Sequence, residues 1–368
     1  MKMKLFAAAV AALAAGGAYA QSSVTLYGVV DAGIEYNNKS STNALGTNGN
    51  NLWAMQSGNQ SGSRWGLRGV EDLGGGLKGI FVLESGFNVD TGTSAQGGRL
   101  FGRNAYVGLQ SQYGALTLGR QQTTLYDFAL VYDPMAISTR YSSTSQEAAF
   151  ASRADNAAKY TGTFGGLTVS ALYSFTNNGN ETAGNFTNGR EYGFLASYAA
   201  GPFSIGAAYD QSNNVNNALA GTNGTQLIRR ATVAGTYAFG PAKLYAGYRY
   251  AKAYNGANLV GSPTVANTAS NLGWFGVGYQ LTPALSLSGA AYYQNLRESS
   301  ANPWQFVTTA DYALSKRTDV YATASYVLNN GSKSRLGVNG FNDASGQTQF
   351  VQAGANQFGA VVGVRHKF

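Results

Sequence analysis

The side chains able to do covalent chemistry are few. The 368-residue chain has one histidine, His366, close to its end, and no cysteine. A Ser–His–Asp relay needs a histidine framed by other elements, and a zinc site needs several His or Cys ligands. Neither can be built around His366, which reads as an interfacial residue on a final strand; no enzyme activity, metal or cofactor is expected. Residues 74–79 spell G-x-G-x-x-G formally, but no helix follows and no βαβ unit surrounds them, so they read as a turn. What remains is fixed charge. Residues 120–153, RQQTTLYDFALVYDPMAISTRYSSTSQEAAFASR, carry Asp127, Asp133 and Glu147 between basic flanks. Charges set along a narrow aqueous path act on a passing ion by their field and need break no bond. Strand-like alternation stops inside this stretch, and Pro134 removes a backbone donor that a central strand would need. A connection this long without secondary structure of its own is uncommon and usually functional. It reads as a loop folded into a tube and narrowing it.

The elements that must hold such a loop are strands. Period-2 alternation puts Leu167, Val169, Ala171, Tyr173 and Phe175 on one face, with Thr168, Ser170 and Ser174 on the other. Val320, Ala322, Ala324, Tyr326 and Leu328 likewise oppose Asp319, Tyr321, Thr323 and Ser325. A soluble sandwich gives the same pattern, so segment count and connector length have to decide. Sixteen strands are read, at 24–36, 63–71, 77–89, 100–110, 115–121, 155–162, 167–175, 190–198, 203–211, 227–239, 243–254, 271–280, 284–296, 304–314, 319–328 and 357–368. Connectors alternate between short turns of Gly, Pro and Ser and long polar loops rich in Asn, Gly, Ser and Thr. That asymmetry predicts an all-β fold: a transmembrane antiparallel β-barrel of 16 strands, with short periplasmic turns, long extracellular loops and the third loop folded into the lumen.

Residues 1–20 combine Lys2 and Lys4, an apolar run and an Ala18-Tyr19-Ala20 cleavage site, and read as a cleaved signal peptide with Gln21 as the mature N-terminus. Residues 21–368 form the barrel domain, and 122–152 the constriction loop. Without the two leader lysines the formal charge falls from +8 to +6. The basic excess is dispersed, which argues against nucleic-acid binding. No later stretch approaches the roughly 18 apolar residues of a membrane helix. Only 11% of residues are charged, whereas 24 Tyr, 18 Phe and 49 Gly are present, a poor composition for a wetted soluble β surface. The terminal segment AVVGVRHKF alternates to a final aromatic, Phe368, as a barrel's lower aromatic girdle requires.

The segments SSVTLYGVVDAGIEY (22–36), SRWGLRGVEDLGGGLKGIFVLESGF (63–87), GRNAYVGLQSQYGALTLGRQ (102–121) and VGVRHKF at the end make the chain similar to the trimeric general-diffusion porins of Gram-negative outer membranes, closest to their beta-proteobacterial branch. The resemblance implies an outer-membrane homotrimer that passes small hydrophilic solutes and ions passively through a water-filled channel. It implies contacts with membrane lipid and lipopolysaccharide, and recognition of the last strand, ending at Phe368, by the outer-membrane assembly machinery. It carries a basic pore wall onto Arg64, Arg103 and Arg153, with Arg68 and Lys159 on the same strand faces. It carries constriction acids onto Asp133 and Asp127, and onto Glu84 on the wall beneath. A further acid of the family's loop falls at Ile137, and a first-strand basic residue falls at Val29, so this chain departs at both. The expectation is a transverse field between the arginines and Asp133, with mild anion selectivity weakened by salt. Arg120, in phase with Leu116 and Leu118, would face outward, where an unpartnered arginine is costly; either a trimer interface on the fifth strand covers it, or strand parity slips at a bulge before the loop. The alternatives are a substrate-selective anion porin, for phosphate for example, and a non-conducting surface adhesin or structural barrel.

Overall fold

The computed structural model describes residues 23–213, 224–259, 267–299, 301–330, 334–342 and 349–368. The expected leader and its cleavage point lie outside the described residues. The strands in chain order are β1 (Ser23–Ser41), β2 (Asn50–Ser57), β3 (Arg64–Gly74), β4 (Leu77–Gly86), β5 (Asn104–Ser111), β6 (Gly114–Gln122), β7 (Arg153–Phe164), β8 (Leu167–Ser174), β9 (Glu191–Ala200), β10 (Phe203–Asn213), β11 (Leu227–Phe239), β12 (Ala242–Tyr254), β13 (Ala269–Gln280), β14 (Leu285–Leu296), β15 (Trp304–Ala313) and β16 (Thr318–Leu328). Three two-residue strands, β17 (Leu336–Gly337), β18 (Gly340–Phe341) and β19 (Phe350–Val351), precede β20 (Gln357–Lys367). One helix, α1 (Thr124–Tyr132), lies between β6 and β7.

Every wall strand pairs antiparallel with its neighbours, and β20 pairs with both β16 and β1, so the sheet closes without an edge. With β2 and β3 forming a single barrel strand, the wall has sixteen strands. The ends meet at the short-turn rim, where Phe368 and Gly28 exchange backbone hydrogen bonds of 3.0 and 3.1 Å.

The two faces differ as the alternation predicts. On β13, Phe275, Val277 and Tyr279 are exposed, whereas Leu272 and Trp274, on the opposite face, are buried. On β16, Val320 and Tyr326 are exposed, whereas Asp319, Tyr321, Thr323 and Ser325 are buried. Along β11 the outward residues run from Arg229 to Phe239 at the turn. Ten residue steps at about 3.3 Å, tilted by about 40°, rise roughly 25 Å, the height of a barrel's apolar band. Exposed aromatics crowd the short-turn rim, among them Tyr113, Phe164, Tyr198, Phe203, Phe239 and Tyr312.

One departure concerns the first long connector. Its residues 50–57 are wall: β2 pairs with the upper half of β1, from Ala32↔Ser57 to Tyr36↔Trp53, whereas β3 pairs with the lower half, from Ser23↔Val70 to Val29↔Arg64. Residues 58–63 between them leave the sheet. The Asp31 carboxylate holds this excursion by accepting the Gln60 and Ser61 N–H groups at 2.8 Å each, and it also accepts the Tyr321 hydroxyl at 2.6 Å.

Candidate functional site

The connection between β6 and β7 does have secondary structure, contrary to expectation. Leu125, Phe128, Ala129 and Tyr132 recur at helical spacing, and the Thr123 hydroxyl caps the helix by accepting the Tyr126 N–H at 3.2 Å. These apolar residues are buried, and α1 packs against β8 to β12. The Trp274 indole N–H donates to the Tyr132 carbonyl at 2.9 Å, and its rings meet Phe128 and Phe150 edge-on. Two wall glycines make the seat: a Cβ on Gly206 would lie 2.5 Å from the Tyr132 ring, and one on Gly276 would lie 2.3 Å from Pro134. Further along, the Tyr141 hydroxyl donates to Glu35 at 2.7 Å on β1. Glu147 then pairs with Arg230 at 3.2 Å and Arg249 at 2.9 Å before the chain enters β7. Short 3-10 turns (Ser143–Ser145, Ala148–Ala151) complete the segment.

Between this segment and the wall of β3, β4 and β7 lies a cavity of about 480 Å³. Arg64, Arg103, Arg153, Glu84 and Asp127 all line it, so the structure brings together five of the ten residues singled out from the sequence. Glu84 is buried and accepts from Arg103 Nε at 2.8 Å, Asn104 at 3.1 Å and the Tyr27 hydroxyl at 3.0 Å, with Arg64 at 3.6 Å. Two arginines thus share one carboxylate. Arg153 has no carboxylate at ion-pair distance among the described residues: its guanidinium lies 5.2 Å from the Tyr126 ring centre, it donates to the Ala151 carbonyl at 3.2 Å, and its Nε is buried without a partner. Asp127 pairs with Lys159 at 2.5 Å. Burial pushes the Asp127 carboxyl above its ordinary range, against the pull of Lys159. Three cations against two anions leave the cavity lining net positive, and Lys159 adds to the excess.

Asp133 does not face the arginines. It is buried and outside the cavity, accepting from the Tyr292 hydroxyl at 2.5 Å, the Ile137 N–H at 2.9 Å and the Met135 N–H at 3.3 Å. It pins the loop to β14, so the expected field pole at Asp133 is not formed. Glu147 is likewise consumed by Arg230 and Arg249. Burial raises its carboxyl, but the two guanidinium groups outweigh burial and hold it below the usual range. Arg68 shares the inner face with Arg64 but lies about 13 Å farther down the strand. It sits 5.6 Å from the Tyr27 ring centre, away from the cavity.

The reason for placing Arg120 at a subunit contact also falls away. The β6–β7 register shifts between Gly119 and Gln121, with Asn156 at φ 48°, and Arg120 finds an acid in its own chain, Asp155 at 2.6 Å. Arg99 of the second long connector meets the same carboxylate at 2.7 Å, so Asp155 is shared by two arginines. Sequence reasoning missed Asp31, Glu35, Arg230 and Arg249, as well as Arg140, which pairs with Glu35 at 3.4 Å. Arg249 stood on the polar face of its strand, a signal of inward orientation, but its partner is distant in sequence.

A closed barrel with an apolar outer band and a charged inner cavity defines an outer-membrane channel protein. The chain belongs to the Gram-negative porin family, whose model matches residues 7–332. It is 34% identical to an outer membrane porin protein of Bordetella pertussis, over 89% of this chain and 95% of that one. It is 33% identical to outer membrane porin protein 32 of Delftia acidovorans over the full length of both. Among solved structures, the anion-selective porin from Comamonas acidovorans superimposes with a TM-score of 0.78 at 26% identity, covering 95% of this chain and all of that one. The protein is a porin of a Gram-negative outer membrane, and small hydrophilic solutes diffuse passively through it.

Proposed function

We propose that the channel is mildly anion-selective and that its narrowest part is the cavity beneath residues 122–152. The observation that carries this reading is Arg153, which has no carboxylate at ion-pair distance among the described residues, beside Arg64 and Arg103 and opposite a loop whose acids Asp133 and Glu147 are spent on anchoring. An anion entering meets uncompensated positive charge, whereas a cation meets Glu84, already held by Arg64 and Arg103, and Asp127, already held by Lys159. Relatives whose names describe outer-membrane and anion-selective porins agree with the reading. In the membrane the chain acts as a homotrimer embedded in lipid and lipopolysaccharide, with the strand ending at Phe368 recognised by the assembly machinery, and without enzymatic activity. Current carried by phosphate in planar bilayers decides between general diffusion and a dedicated anion site. A linear rise with concentration supports general diffusion, whereas saturation in the millimolar range overturns it in favour of a phosphate-selective porin.

A further inference from the structure

α1 turns its anchoring residues to the wall, so its other face looks into the cavity, with Tyr126 and Leu130 beside Asp127, whose carboxylate is held by Lys159. Tyr126 and Leu130 line the cavity, the latter 48% exposed. The next cavity-lining residues are Ala136 and Ile137, both in the left-handed region at φ 48° and 46°. That conformation is unfavourable for alanine and more so for a β-branched isoleucine. It persists because the Asp133 carboxylate accepts the Ile137 N–H at 2.9 Å while Tyr292 and the wall hold Asp133. The buried acid therefore fixes a strained loop tip that presents an aliphatic side chain to the arginines. Arg153 lies over Tyr126 on the same cavity, with a buried Nε–H lacking an acceptor.

We infer that the constriction favours amphiphilic organic anions, small carboxylates carrying an aromatic or branched aliphatic body, over hydrophilic anions of the same charge. The carboxylate lies against Arg153, and the apolar body lies against Tyr126, Leu130 and Ile137. The juxtaposition that carries this is a cationic wall facing an apolar, conformationally strained loop tip across one 480 Å³ cavity. Water is displaced from both surfaces at once, and neither a neutral apolar solute nor a hydrophilic anion gains from both. The inference rests on the anion-selective reading and names the solute class for it.

The test uses the full-length protein in planar bilayers, with reversal potentials under gradients of sodium benzoate, sodium acetate and sodium chloride. After correction for aqueous mobility, benzoate is expected to exceed acetate in permeability by about fivefold, as for two to three methylenes half-removed from water. Leu130→Gln and Ile137→Asn should each lower that ratio at least about twofold and leave the chloride-to-potassium ratio unchanged. Asparagine tolerates the left-handed conformation, so the second variant keeps the loop folded. Equal benzoate and acetate permeabilities with chloride still preferred over potassium would overturn this inference and leave the anion reading intact. A benzoate preference unaffected by both variants would overturn it as well. Loss of the chloride preference in the wild-type channel would remove the anion reading itself.

Discussion

Removing the charge of Arg153 is the sharpest perturbation of the pore. Arg64 and Arg103 share Glu84, so neutralising either is partly offset; Arg153 has no such partner among the described residues. For an ion passing about 5 Å from the Arg153 guanidinium, two unit charges in water interact by about 0.8 kcal/mol. A screening length of about 10 Å at 0.1 M salt leaves about 0.5 kcal/mol. An anion loses this and a cation gains it, so Arg153→Gln should lower the chloride-to-potassium permeability ratio by about 1 kcal/mol, or roughly fivefold. At 1 M salt, where the screening length is about 3 Å, the same variant should change the ratio by less than about twofold. The assay is the zero-current potential of reconstituted channels across a KCl gradient, at both salt levels. A ratio in the variant within about 1.5-fold of wild type at 0.1 M would refute the assignment, as would a fall of equal size at 1 M.

Acidification should strengthen the anion preference. Asp127 loses its charge as pH falls through its raised pKa, freeing the Lys159 charge, so the change begins above the ordinary aspartate range of about 4. Asp127→Asn should abolish that pH dependence, and its persistence in reversal potentials would contradict the assignment. Asp133→Asn weakens three hydrogen bonds at the loop tip, so it should raise conductance and current noise with little effect on ion preference; a large selectivity change would restore Asp133 as a field charge. Glu147→Gln leaves Arg249 buried without its acid, while Arg230 keeps Asp210 at 3.0 Å; the loss, about 3 kcal/mol, should lower the temperature at which the compact form converts on semi-native gels. Because the Glu147 pKa is depressed on folding, its stabilisation is complete above the unfolded glutamate value of about 4.3 and is lost only as pH falls through the lower folded value.

The wall was legible because alternation is local. A strand facing lipid on one side and water on the other must repeat every two residues, and tight turns need their Gly, Pro or Ser wherever the wall is cut. Residues 50–57 escaped because NNLWAMQS, between polar loops, carries only three large apolar side chains, and its pairing with β1 is a contact across the hairpin. The helix could have been found: Leu125, Phe128, Ala129 and Tyr132 follow a capping threonine at helical spacing, but the surrounding polar stretch and Pro134 obscured it. The site was legible as a composition of charges and not as a set of pairs. The family resemblance gave Asp133 to the pore, whereas its partner Tyr292 lies 159 residues away. Parity put Arg120 outside with a bulge as the alternative, and the bulge at Asn156 hands it to Asp155.

A water-filled pore whose narrowest part carries uncompensated positive charge must pass chloride more readily than potassium. The most direct measurement is the zero-current potential of the purified, refolded protein in a planar bilayer, under a roughly tenfold KCl gradient with about 0.1 M on the dilute side. Discrete conductance steps are expected, with a potential whose sign reports chloride as the more permeant ion and which shrinks when both sides are raised toward molar salt at the same gradient. A silent bilayer, or steps with potassium the more permeant ion, would contradict it.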